Sequence, residues 1–128
     1  MGVIRGGCSA KALTILSTAN EISASWGIQV TPTGKIAVAD QENPTIYTYD
    51  PPVKDALGTP IATTPLTGVE DPAQFAFMKS GAYLFVAAEA SNKALKFAYP
   101  AGGNALKSIG GRHMDGPVGV VVTPGAQQ

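Results

Sequence analysis

The chain has 128 residues, 45% of them hydrophobic, enough for one packed domain and too many for wholesale disorder. Nine Lys and Arg balance nine Asp and Glu, and only 14% of residues are charged, so the basic surplus of a nucleic-acid-binding domain is absent. One Cys and one His exclude an internal disulfide, a Cys-based zinc site and a multi-histidine metal centre, and no apolar run approaches the ~18 residues of a membrane span.

In chain order, the start from Met1 to Cys8 lacks two anchor signals. Gly6 stands where myristoylation needs Ser or Thr, and no apolar leader precedes Cys8. Ser9 to Ala19 is the best helix candidate, although Thr14-Ile15-Leu16 suits a strand equally. Gly27 to Val30 runs into a Thr31-Pro32-Thr33-Gly34 turn, and Lys35 to Asp40 follows with Ile36 and Val38 on one face. Thr45 to Tyr49 alternates with period two, the signature of a strand, and Pro51-Pro52 stops it because proline cannot donate to a ladder. Gln74 to Met78, a Lys79-Ser80-Gly81 turn, Tyr83 to Ala88, and Ala94 to Tyr99 before Pro100 repeat that sequence of events. Val118 to Val122 is a β-branched strand ended by Thr123-Pro124-Gly125. With Gly (15) and Pro (10) too frequent for a helical bundle, the chain reads as all-β.

Self-comparison decides the architecture. Trp26 to Gly34 matches Ala73 to Gly81 and Val118 to Pro124. Thr31-Pro32 recurs as Thr123-Pro124, Gly34 and Gly81 lie 47 positions apart, and Pro72 and Pro117 lie 45 apart. A unit of about 45 residues with four short strands has the size of one propeller blade, whose strands are lettered a to d from the axis outward. The expected strands are 27–31, 35–39, 45–49 and 59–64 in the first unit, then 73–78, 83–88, 94–99 and 105–109 in the second. The domain expectation is a single propeller-like fragment spanning 1–128. Residues 11–24 supply the last strand of a preceding blade, with Lys11 to Leu16 as the strand itself. Residues 25–69 and 70–113 form two four-stranded antiparallel blades, and 114–124 forms the first strand of a following one. A generic β-sandwich would not repeat a four-strand pattern with its Gly and Pro positions.

These residues resemble a family. Asp115 to Pro124 resembles the blade opening G-P-x-G-I-A-V-D of bacterial NHL-repeat and lactonase-like β-propellers. Gly34 to Asp40 resembles their second strand, G-x-L-Y-V-A-D/N, and Tyr99 to Asn104 resembles the Y-x-P-A-G stretch after strand c. The likeness covers about residues 11–124. Ser25 replaces the opening proline of the first unit, and Ala87-Ala88-Glu89 replaces the Ala-Asp/Asn of the second. The resemblance implies six or seven blades for a whole propeller, so this chain is expected to be an incomplete one. It also implies an exported, extracytoplasmic parent protein.

Candidate chemistry lies in the d-to-a connections, which in the resembled propellers line one mouth of the central channel. They offer Trp26, Glu70, Asp71, His113 and Asp115. Carboxylates with an imidazole suit a divalent cation such as calcium, or acid–base work. The plainer reading is that an acidic residue before Pro forms a turn and that a lone His in a Gly-rich loop is solvated. Trp26 either stacks on a ligand or, the favoured reading, packs between blades. Tyr47, Tyr49, Phe97 and Tyr99 are expected in the core and in cross-strand packing. Glu21, Asp40, Glu42 and Glu89 read as solvated turn charges. Gly102-Gly103 and Gly110-Gly111 lack the Lys-Ser/Thr of a phosphate loop.

The favoured function is a non-catalytic binding scaffold for a protein or carbohydrate, with no cofactor; its partners exclude nucleic acid. The alternative is part of a lactonase- or lyase-like enzyme with an axial divalent metal. Val120, Val122, Leu13 and Ile15 are expected on bare outer blade faces, which predicts self-association or packing against further blades.

Overall fold

The computed structural model describes residues 2–4, 13–15, 22–52 and 57–123. Every regular element among them is a strand: β1 (Gly2–Ile4), β2 (Leu13–Ile15), β3 (Ser25–Val30), β4 (Ile36–Asp40), β5 (Thr45–Tyr49), β6 (Ala62–Thr67), β7 (Pro72–Phe77), β8 (Tyr83–Ala88), β9 (Lys93–Ala98), β10 (Gly103–Asn104) and β11 (Lys107–Gly110). The strands 27–31 and 35–39 expected to be neighbours are neighbours. Strands β3 to β6 form one antiparallel meander, blade one, and β7, β8, β9 and β11 form blade two. The fold is thus all-β, built of propeller-type blades that do not close a ring.

The blades repeat down to their irregularities. Val30 pairs with Ile36 and Ile28 with Val38, while Phe77 pairs with Leu84 and Phe75 with Val86. Each first pair carries a bulge at the same place, between Ser25 and Ile28 and between Pro72 and Phe75. The a-to-b turns also match. Gly34 N–H donates to Thr31 O and Gly81 N–H to Met78 O, each at 2.9 Å, and both glycines have positive φ (81° and 71°). That conformation is the reason glycine recurs at this position.

The main core lies between the blades. Blade one turns Ala37, Ala39, Ile46 and Leu66 toward blade two, which answers with Phe75, Leu84, Val86, Leu95 and Phe97. Small residues on one sheet make room for aromatics on the other. Gly27 is the extreme case, because a Cβ there would stand 2.8 Å from Ala73 O and 3.2 Å from Phe75 Cδ1. Burying a Phe of this kind contributes about 1.5–3 kcal/mol. Phe77 stacks edge-on against both Phe75 and Tyr99, with ring centroids 5.7 and 4.9 Å away. Toward the periphery the interface turns polar: Thr48 Oγ1 meets Tyr99 OH at 2.7 Å, and Thr64 Oγ1 donates to Pro100 O at 2.8 Å.

The stretch after Tyr99 straps the blades together. Gly102, at φ 65°, lies against Pro65, and β10 runs parallel to the end of β6, so blade one gains a fifth strand from blade two's sequence. The position of β6 corrects the expected 59–64. Leu66 N–H donates to Pro44 O at 2.9 Å, so the Pro65 nitrogen points away from β5 and the strand runs through the proline without losing a bond to β5. In the helix candidate Ser9 to Ala19, Leu13–Ile15 is a strand paired with Gly2–Ile4, and the rest lies outside the described residues.

Segment 117–123 corrects the expected strand near the C-terminal end. It runs beside β7 but belongs to no ladder among the described residues. Val120 and Val122, expected to be bare, are half-buried; Val118 and Val121 are the exposed ones.

Candidate functional site

The d-to-a connections enter β3, β7 and segment 117–123. Because Ser25 pairs with Asp40 and Pro72 with Ala88, each connection lies beside the turn that follows the second strand of its blade. One backbone bond is common to both blades: Gln41 N–H donates to Ala24 O at 2.8 Å, and Glu89 N–H to Asp71 O at 3.2 Å.

Asp40 closes the entry of blade one. Its side chain is fully buried, which overturns its reading as a solvated turn charge. The two oxygens accept from Ser23 N, Ala24 N and Glu42 N at 3.1 Å each, and from Asn43 Nδ2 at 3.4 Å. Asn43 also reaches Ser23 Oγ at 3.1 Å. Burial pushes the Asp40 carboxyl upward, but the N–H groups of Ser23 and Ala24 and the Asn43 amide outweigh it and hold the group below the ordinary carboxylate range. The sequence signal was its place at the end of an apolar strand, where the b-to-c turn needs an acceptor.

At the third connection Asn92, itself at φ 55°, accepts from Gly116 N at 2.7 Å. Asn92 was also missed by sequence reasoning; an Asn just before a strand is a common turn residue and carries no distinguishing signal.

The structure places Glu70, Asp71, His113 and Asp115 on exposed loop positions at the boundaries between units. Asp71 adopts φ 49°, a backbone state that short polar side chains tolerate. His113 lines a shallow pocket of about 290 Å³ with Ile109, Gly110, Gly111, Arg112 and Met114. Among the described residues no three His, Cys, Asp or Glu side chains come together in a way that would hold a metal.

Trp26 is 54% exposed and lies outside the interface between the two described blades. The reason is the pleat: Gly27 faces blade two, so its neighbours Trp26 and Ile28 turn to the opposite face, where Val30 is exposed as well. Tyr49 and Phe97 are fully buried and Tyr47 and Tyr99 partly so, as expected of core residues.

No protein-family model matches the sequence, and no curated protein matches it either. Among solved structures, the chain is similar to a putative 6-phosphogluconolactonase from Bacteroides uniformis, with a TM-score of 0.55 and 17% identity over 81% of this chain. The match covers 33% of that protein, so the chain spans about a third of its length. At this identity the likeness concerns the fold alone, and it agrees with blades of an incomplete propeller.

Proposed function

We propose that the chain is a non-catalytic β-propeller segment, a scaffold that presents its d-to-a connections to a protein or carbohydrate partner. The observation that carries this reading is how the carboxylates are used. Asp40, the one fully buried carboxylate among the described residues, spends its oxygens on backbone N–H groups of the connection and of the turn beside it, and so stiffens a loop. Glu70, Asp71, His113 and Asp115 are exposed on their own connections, and Trp26 is exposed as well. Rigid loops carrying exposed polar groups and one large aromatic suit binding, since little ordering entropy is lost when a partner arrives. The low charge, the lone Cys and the resemblance to exported propellers support an extracytoplasmic setting for the parent protein; the reading frame upstream of Met1 tests that.

The second reading, a lactonase- or lyase-like enzyme with an axial divalent ion, draws on the name of the similar Bacteroides uniformis protein. One experiment separates the two. Trp26 is the single Trp, so its fluorescence reports on the connections. A saturable change with members of an oligosaccharide or protein panel, lost in Trp26→Ala, is the expected result. Lactone hydrolysis above the buffer rate, or a clear rise in Tm with millimolar calcium, overturns the scaffold reading.

A further inference from the structure

The connections that enter blade one and blade two are counterparts, residue by residue. Gln41 N–H donates to Ala24 O and Glu89 N–H to Asp71 O, so Ala24 matches Asp71 and Ser23 matches Glu70. In blade one the buried Asp40 carboxylate takes the N–H groups of Ser23 and Ala24. Its counterpart in blade two is Ala88, whose side chain accepts nothing. The second connection, which carries the exposed Glu70 and Asp71, thus lacks the tie that holds the first. What it has instead reaches it through the strand before it. β6 ends at Thr67, the chain turns at Gly68 (φ 77°), and the buried Val69 donates its N–H back to Leu66 O at 3.3 Å. The last two residues of β6 are the two that β10 pairs with, Leu66 with Gly103 and Thr67 with Asn104.

We propose that the strap, residues 99–104, is the stay of the second connection: it does from the outer edge of blade one what Asp40 does for the first connection. The strap climbs along β6 toward that connection, and each step is fixed. Tyr99 OH meets Thr48 Oγ1 at 2.7 Å, and Thr64 Oγ1, fully buried, donates to Pro100 O at 2.8 Å. Gly102 lies so close to Pro65 that no side chain fits between them. β10 then completes the ladder at Leu66 and Thr67. The end of β6 is therefore held on both edges, by Pro44 O on one side and by β10 on the other. A strand end held in this way does not fray, so the turn through Gly68 starts from a fixed point. The crossover of blade two thus positions the entry to blade two. For its use this stay rests on the scaffold reading, since it keeps Glu70 and Asp71 in place for a partner. Its test reads backbone motion rather than binding, so the two fail separately.

Amide exchange and NMR relaxation on the full chain test it with two variants. Thr64→Val combined with Tyr99→Phe removes both hydroxyl bonds of the strap and keeps its apolar packing, while Gly102→Ala drives a methyl into Pro65. In either, exchange of the Val69 amide is expected to rise about tenfold. The order parameters of Glu70 and Asp71 fall from the rigid range, about 0.85, toward about 0.6. Ser23 and Ala24 keep their wild-type values. Asp40→Ala gives the mirror image, with faster exchange at Ser23 and Ala24 and none at Val69. Equal loosening of both connections in the strap variants overturns the proposal, because it means general destabilisation. So does release of Gly103 and Asn104 while Val69, Glu70 and Asp71 stay as they were. If Gly102→Ala does not fold, the double hydroxyl variant decides alone, and an unchanged Val69 in it overturns the proposal.

Discussion

Where the second strand of blade one ends in Asp40, that of blade two ends in Ala88, and both side chains are fully buried. The backbone bond that closes the entry is present in both blades, so the carboxylate is an addition that ties down Ser23 and Ala24 in blade one alone. A second contrast runs through the front faces. Ile28 and Val30 occupy the positions of Phe75 and Phe77 in the common register, yet Ile28 is 45% and Val30 67% exposed, whereas Phe75 is fully buried. The register is the same. The difference is that Phe75 has a blade in front of it. A residue's place in a repeat sets its orientation, and the neighbouring unit sets what that orientation is worth.

The sharpest way to break this comparison is to truncate the equivalent pair. Phe75→Ala removes a ring from the middle of the interface and is expected to cost about 3–5 kcal/mol. Ile28→Ala at the matching position of blade one is expected to cost less than about 1 kcal/mol, because its side chain is already half in water. Urea unfolding of the two variants measures the difference; equal losses would mean that blade one's front face is covered in solution.

Asp40→Ala strands buried N–H groups of the connection and is expected to cost about 2–3 kcal/mol by the same assay. The effect carries a pH signature. The folded-state pKa of Asp40 lies below its unfolded value, so its contribution is complete above about pH 4, the unfolded carboxylate range, and is lost as pH falls through the folded pKa. The gap in stability between the wild type and Asp40→Asn should therefore be constant near neutrality and shrink in acid. A gap that widens in acid contradicts the lowered pKa.

Gly27 and Gly119 sharpen the contrast at the inner strands. Gly27→Ala drives a methyl into Ala73 O and should cost about 1–3 kcal/mol, whereas Gly119→Ala meets nothing within 4 Å and should stay within about 0.5 kcal/mol. Smallest of all is the ion pair of Lys35 with Asp50, whose side chains are 36% and 58% exposed. Lys35→Ala should change stability by less than about 0.5 kcal/mol, and the change should fade in high salt.

Much of the architecture was legible in the sequence because it is written locally. Period-two alternation, the turn glycines Gly34 and Gly81, and the match of Trp26 to Gly34 with Ala73 to Gly81 sufficed to place two four-stranded units and to name the neighbours within each. These are properties of short stretches of chain, set by backbone sterics and by the side-chain period. Pairing across distance decided the rest. Asp40 looked like a turn charge until the connection 16 and 17 residues before it folded back to supply the N–H groups that bury it. The pleat gave the place against blade two to Gly27 and turned Trp26 to the opposite face, which no local signal announces. Val118 to Val122 looked like a strand; only the tertiary arrangement showed that it lies beside β7, outside every ladder among the described residues. Burial and hydrogen bonding belong to pairs of segments, and no single segment encodes its partner's position.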